Sequence, residues 1–315
     1  MAVYRVNLEK ICARYTQVAL IDLSWVLHRS MHVFRNFSVS PVSGTNIPTG
    51  HMYGSLMAVQ SFLSQPNMAV IVVRDGHPVE RIAQSQEAGV AYKADRPELE
   101  YDFYKDVPKI INMCLACSDV YYAYNSDKES DDVMYCIAKK IEKINSETKV
   151  WIHSGDNDLL QTINKKGTVK VCRTFAEGRL VPIGYEEVVN LEQFTKKFHG
   201  VGPDKLVLFR AVAGDSSDNI KGVPRFPREL LKEIVNQSET LDDIFKVESV
   251  KYSKQIDKLR ECETQVRANY RLMKLQEDFE PNLVKGDIPR VWVRDTLNYF
   301  NLTRWSNFLK RRQEL

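Results

Sequence analysis

Residues 68–76 read MAVIVVRDG, an apolar and largely β-branched run that ends in Arg74, Asp75 and Gly76. A short continuous run of this kind, bounded by polar and turn residues, makes a strand buried on both faces. An acid stands where that strand stops. Four further runs have the same form, at 18–21, 120–124, 150–153 and 169–172. Amphipathic stretches near 50–64, 78–93, 102–116 and 131–144 lie between them with helical period. Strand and helix in alternation predict an α/β fold: a mainly parallel sheet flanked by crossover helices.

Beyond about residue 184 the strands end in this reading, and helices follow at 191–198, 203–213, 228–235 and 255–274. The expected organisation is an α/β core over 1–184 and a helical subdomain with C-terminal closure over 185–315. Pro203 suits the first turn of its helix and Gly214 the position just past the end. The segment GDSSDNIKGVP, 214–224, is therefore a loop between two helices.

With 315 residues, 43% hydrophobic and 27% charged, the chain is too long and apolar for a disordered tail or a disulfide-stapled miniature. No apolar run approaches the ~20 residues that span a bilayer. The N-terminal residues lack the apolar core of a signal peptide, so a cytoplasmic location is expected. Six scattered cysteines suit free thiols; Cys114 and Cys117 form one C-x-x-C without the second pair that a structural zinc requires.

Acids follow strand after strand. The first run leads into Asp22, the second into Asp75, the third within a few residues into Glu129, Asp131 and Asp132, and the fourth into Asp156 and Asp158. In a parallel sheet, ligands gather beyond the carboxyl ends of the strands. One such acid ordinarily caps the next helix; four strand ends in succession call for another reason. Steps of ~100° along a helix would turn Glu129 and Asp131 to nearly opposite faces, so Glu129 must lie at or before the helix start. Asp156 and Asp158, two apart, project to one side if the chain stays extended through Gly155. Asp215 and Asp218 in the interhelical loop make a third set.

So many carboxylates repel one another unless cations hold them. All-oxygen donors without obligatory His or Cys favour Mg²⁺, with Mn²⁺ as a substitute. Two ions ~4 Å apart form the clamp for in-line attack on a phosphodiester. Net charge is only +3, but with these nine acids set aside the remaining 32 face 44 bases, which suits a phosphate backbone. Lys93 and Arg96 at i,i+3 spacing, Arg29 on the presumed first helix, and Lys221, Arg225 and Arg228 around the Gly-Val-Pro turn that Gly222 opens are the bases placed to meet it. His153 reads as a packed strand residue.

The segments ALIDLSWVLHRS, GHMYGSL, VVRDG, AYKADRP, ESDDVMYCIA, HSGDNDLLQ and AGDSSDNIKGVP together resemble the 5′-nuclease or flap endonuclease family, in its bacteriophage and bacterial polymerase-associated branch, over about 17–275. The resemblance implies a PIN-like or resolvase-like nuclease core, a helical arch near 78–105, and a helix-turn-helix-type DNA-binding loop in the helical subdomain. It implies a two-metal 5′-flap endonuclease and 5′-3′ exonuclease with a role in primer or flap removal during DNA replication and repair. Its substrates would be branched or 5′-ended DNA and RNA-DNA hybrid, its associates replication proteins, and its state a monomer.

Carried over by position, Asp22, Asp75, Glu129 and Asp131 look like ligands of one metal. Asp156, Asp158 and Asp215 look like ligands of the other, with Asp132 and Asp218 close by. Lys93 and Arg96 match the catalytic basic pair at the base of the arch, and Arg29 a basic position after the first acid. The family often continues its loop as G-V-x-G-x-G, whose carbonyls hold K⁺; this sequence reads GVPRFP and departs there.

Two other enzyme classes fit less well. A PIN-like ribonuclease shares strand-end acids but usually lacks the helical part with GDSSDN, and an aspartyl-phosphate phosphatase needs a second acid at Ser24. A junction-binding protein without catalysis should have lost several of the acids, and all are present.

Overall fold

The computed structural model describes residues 2–40, 46–89, 102–173, 187–198, 200–216 and 218–315. Its N-terminal elements are β1 (Ala2–Arg5), α1 (Leu8–Arg14), β2 (Gln17–Asp22), α2 (Leu23–Val33), the short β3 (Ser38–Val39) and β4 (Ile47–Pro48), α3 (Gly50–Leu63), β5 (Met68–Arg74) and α4 (Val79–Glu87). A 3₁₀ turn (Phe103–Asp106) leads to α5 (Val107–Leu115), β6 (Val120–Tyr124), α6 (Ser130–Ile144) and β7 (Lys149–His153). After the 3₁₀ turn Asp158–Thr162 come β8 (Val169–Arg173), β9 (Glu187–Val189), α7 (Leu191–Lys197), α8 (Leu206–Ala213), β10 (Gly214–Asp215) and β11 (Ile220–Lys221). The chain closes with α9 (Arg228–Gln237), α10 (Leu241–Lys246), α11 (Ser253–Glu261), α12 (Glu263–Met273), β12 (Asn282–Asp287), α13 (Arg290–Tyr299) and α14 (Thr303–Arg311).

The main sheet runs β1-β12-β6-β5-β2-β7-β8-β9. Its five central strands are parallel, while β12 against β6, β1 against β12, and β9 against β8 are antiparallel. Side chains alternate between two buried layers. Ala19, Ile21, Val70 and Val72 face one core with α2, α3, α5, α13 and α14. Val18, Leu20, Ala69, Ile71 and Val73 face the other, with α1 and α6. Burial on both sides is why these strands read as unbroken apolar runs. A third cluster, built from α8 to α12, forms the helical part.

Three expectations are corrected. Strands do not end near residue 184: β9 and β12 both join the main sheet, and β12 inserts between β1 and β6. Nor is the C-terminal closure wholly helical, since β12 belongs to it; its helices pack onto the sheet, where Trp305 is 1% exposed in the first core and donates its indole N–H to the Met113 carbonyl at 3.3 Å. The stretch read as one helix over 255–274 is two, α11 and α12, meeting at Cys262.

The order of strands places the site. From β2 the chain builds outward through β5 to β6, then returns to the other flank of β2 as β7. The gap beyond β2 and β7 is thus a switch point, where an open α/β sheet leaves a crevice.

Candidate active site

Asp22 is the last residue of β2 and also caps α2, its Oδ1 accepting the Trp25 N–H at 3.1 Å. One residue past the end of β5, Asp75 is held by a close approach of two loops. Gly76 donates its N–H to the Lys128 carbonyl at 2.9 Å, and a Cβ there would lie 2.0 Å from the Asn125 carbonyl oxygen. Glycine is required at that crossing. The loop contact brings Asp75 Oδ1 to 2.7 Å from the Ser130 N–H, whose own hydroxyl lies 3.3 Å from Asp22 Oδ1.

Glu129 stands in extended backbone just before α6, and Asp131 and Asp132 occupy the first helical turn. This is the arrangement that the angular argument demanded. The three acids are buried, and one carboxylate oxygen from each lies within 4.8 Å of the others. Arg81 of α4, only 2% exposed, grips them: one terminal nitrogen is 2.6 Å from Glu129 and 3.6 Å from Asp131, the other 2.7 Å from Asp132.

Beyond β7, Ser154 Oγ donates to Asp22 Oδ2 at 2.7 Å and accepts the Asp156 N–H at 3.1 Å. One hydroxyl therefore couples the strand-end acids on either side of the switch point. Asp156 and Asp158 meet by a turn rather than by an extended chain, which corrects the sequence reading. Asp158 begins a 3₁₀ turn, and its N–H donates to Asp156 Oδ1 at 2.8 Å. Arg210 of α8 pairs with Asp158 through one terminal nitrogen and with Asp215 through the other, joining the sheet to the interhelical loop. The loop begins at Gly214, whose φ of +80° suits only glycine, and β10 and β11 pair Gly214 with Lys221 and Asp215 with Ile220.

Electrostatics register the crowding. Burial and then the charge of Asp75 push the Asp22 carboxyl up to about 7, against the hydrogen bonds from Ser154 and Trp25. Asp158 is also pushed up to about 7, chiefly by burial; Arg210 opposes the shift, and Asp156 and Asp218 add to it. Burial raises Asp132 as well. A set of oxygen donors this dense fits hard divalent cations, which would restore the charged forms.

His153 is no base for the chemistry. It is buried edge-on to Trp25 and Phe62, and burial lowers its pKa to about 4. Arg29 lies along α2 with its guanidinium 5.6 Å from the Trp25 ring centre. Lys221 and Arg225 are exposed beside Gly222, and Arg225 holds a positive φ of 57° in the turn. Lys93 and Arg96 lie outside the described residues. Among the described residues, then, the structure joins Asp22, Asp75, Glu129, Asp131, Asp132, Asp156, Asp158 and Asp215 through two serines and two arginines, with Asp218 close enough to repel Asp158.

Sequence reasoning missed both arginines. Arg210 carried a signal, since it is the one charge in the apolar helix LVLFRAVA. Arg81 sits in a polar helix and carried none.

Residues 17–199 match the family described as 5′-3′ exonuclease, N-terminal resolvase-like domain, and residues 201–290 match 5′-3′ exonuclease, C-terminal SAM fold. The chain is 25% identical over 266 residues to a 5′-3′ exonuclease of Aquifex aeolicus, covering 84% of this chain and 85% of the relative. A 5′-3′ exonuclease of Buchnera aphidicola is 25% identical over 303 residues, with 92% and 96% covered. DNA polymerase I of Bacillus subtilis is 25% identical over 254 residues, which are 78% of this chain but 27% of the polymerase, so the chain spans about a quarter of that relative. Among solved structures, the bacteriophage T5 D15 protein co-crystallised with metal ions is similar with a TM-score of 0.58 at 16% identity, over 95% of this chain and 98% of that one. The chain belongs to the 5′-3′ exonuclease family, and it is a nuclease.

Proposed function

We propose that this member of the 5′-3′ exonuclease family is a divalent-metal-dependent, structure-specific 5′ nuclease that cuts 5′ flaps and trims 5′ ends of DNA and of RNA-DNA hybrid. The observation that carries this reading is the coupling of two acid sets across the switch point by the Ser154 hydroxyl. Asp22, Asp75, Glu129 and Asp131 would hold one Mg²⁺, and Asp156, Asp158 and Asp215 another, with Asp132 and Asp218 supporting and Mn²⁺ able to substitute. Ions bound there would polarise the scissile phosphate and provide a nucleophilic water at neutral pH.

The chain's own residues do the rest. Ser130 and Ser154 fix the carboxylates by hydrogen bonds, so their lone pairs converge before any ion arrives. Arg210 ties the loop carrying Asp215 to the end of β7. Lys93 and Arg96 steer the scissile phosphate, while Arg29 and the segment with Lys221, Gly222 and Arg225 hold the backbone without reading sequence. The exposed Arg225 adds a charge at the turn beside Gly222.

We place the enzyme, as a monomer, in the cytoplasm of a bacterial or phage-infected cell, where it removes primers or flaps alongside replication proteins. Among the described residues no helix is long and apolar enough to cross a membrane. The test is cleavage of a 3′-labelled 5′-flap DNA, in Mg²⁺ or in EDTA, beside a matched 3′-flap substrate. Mg²⁺-dependent cuts near the base of the 5′ flap alone are expected. Tight binding without cutting would instead mark a junction-binding protein, and cutting of single-stranded RNA alone a ribonuclease.

A further inference from the structure

Three carboxylates, Glu129, Asp131 and Asp132, share one buried guanidinium, that of Arg81. With one positive charge against three negative ones the trio keeps a net charge of −2, and Asp22 and Asp75, both held by Ser130, add to it. Arg81 is also tied to the chain after α12: the Asp132 oxygen that accepts its N–H at 2.7 Å also accepts the Gln276 N–H at 2.9 Å. Glu129 and Asp131 remain as the acids which Arg81 and a metal would have in common. A guanidinium suits this task because its rigid fork spans two carboxylates at once, which an ammonium does not.

We propose that Arg81 is the resident counter-cation of this cluster: it holds Glu129, Asp131 and Asp132 together in the metal-free protein and sets how tightly the cluster takes a divalent cation. The inference rests on the metal-dependent reading above. Arg81 is in this account a positioning residue, acting through carboxylates rather than on substrate. It belongs to α4, while the acids open α6, so the same contact fastens α4 to the site. Metal loading and the seating of α4 are thereby linked.

The test is Mn²⁺ binding by calorimetry and thermal unfolding in EDTA and in saturating Mn²⁺, on full-length wild type, Arg81→Ala and Arg81→Lys. With its positive neighbour gone, the tightest Mn²⁺ site of Arg81→Ala should bind at least about tenfold more tightly, since a charge a few ångströms away at an effective dielectric near 20 acts on that scale. Its Tm in EDTA should fall by roughly 10 °C, as expected when one partner of a buried ion pair is removed. Mn²⁺ should restore most of that loss. Arg81→Lys, which keeps the charge but not the fork, should return the affinity to near wild type while its Tm in EDTA stays below that of wild type.

Unchanged or weaker Mn²⁺ binding by a folded Arg81→Ala overturns the proposal, as does an equal loss of Tm with and without metal. Should Arg81→Ala fail to fold, Arg81→Gln keeps a polar N–H donor, loses the charge and carries the same expectation. Failure of wild type to bind Mn²⁺ at all would sink the metal reading itself, which is a separate outcome from binding that Arg81 does not influence.

Discussion

The two acid sets are built in different ways. Glu129, Asp131 and Asp132 come from four consecutive residues at one helix N-terminus and are neutralised by Arg81. Asp156 and Asp158 come from the turn after β7, Asp215 from the loop after α8, and Arg210 bridges them. The first set is local and lies wholly beside the sheet. The second exists only when the helical part is docked, so its integrity reports on how that part sits.

The largest effect should come from Asp156→Asn. Loss of one ligand charge from the second set should lower turnover on the order of 10³-fold, several kcal/mol of transition-state stabilisation, while affinity for flap DNA changes little. Parallel losses of turnover and binding would count against its metal role. Arg210→Ala should come next, because it strands Asp158 and Asp215 without their counter-charge. Urea unfolding in EDTA should show a loss of about 3–5 kcal/mol that shrinks in saturating Mg²⁺. If the loss is the same in Mg²⁺, the second set does not hold an ion.

A pH experiment sharpens the comparison from β7, the strand that leads into the second set. His153 is buried neutral with its pKa lowered to about 4 from 6.5, so the fold disfavours its protonation. Its contribution, about 3 kcal/mol, is fully present above pH 6.5 and is lost progressively as pH falls toward 4. Stability measured between those limits should fall more steeply in wild type than in His153→Leu; parallel curves would show that His153 protonates freely in the fold. The smallest effect is expected for Ser154→Ala. Losing the hydroxyl that joins Asp22 to Asp156 should lower turnover roughly tenfold, about the worth of one hydrogen bond to a charged group, with little change in Tm. No change in turnover would mean that the two sets are positioned independently.

How much of this was legible follows the same division. The central strands could be read because both faces are buried, and Glu129 could be placed at the helix start from the angular step alone. Asp22 and Asp75 were legible as strand-end acids in a parallel sheet. The turn at Asp158 was not, since a two-residue spacing is equally compatible with an extended chain. Arg81 reaches Glu129 across 48 residues and Arg210 reaches Asp158 across 52, and no local pattern encodes either pairing, although Arg210 stands out as the one charge in an apolar helix. β12 was missed because NLVKGD carries Lys, Gly and Asp and reads as a loop. In the fold, Lys285 runs its amine to the Leu115 and Val120 carbonyls, so a charge that argued against a strand caps the end of α5 instead. The two buried layers also hid the role of the C-terminal helices, whose apolar faces find their partner only in a core more than a hundred residues upstream.

The central claim is that two sets of acids, one gathered at the ends of β2, β5 and α6 beside the sheet and one completed by the helical part, hold two ions on either side of the same phosphate. Anomalous diffraction at the manganese edge, from crystals of the protein grown with Mn²⁺, tests it most directly. Two peaks are expected about 4 Å apart, one among Asp22, Asp75, Glu129 and Asp131 and one among Asp156, Asp158 and Asp215. A single peak, or peaks away from these acids, with Arg81 and Arg210 still seated on their carboxylates, would contradict the account.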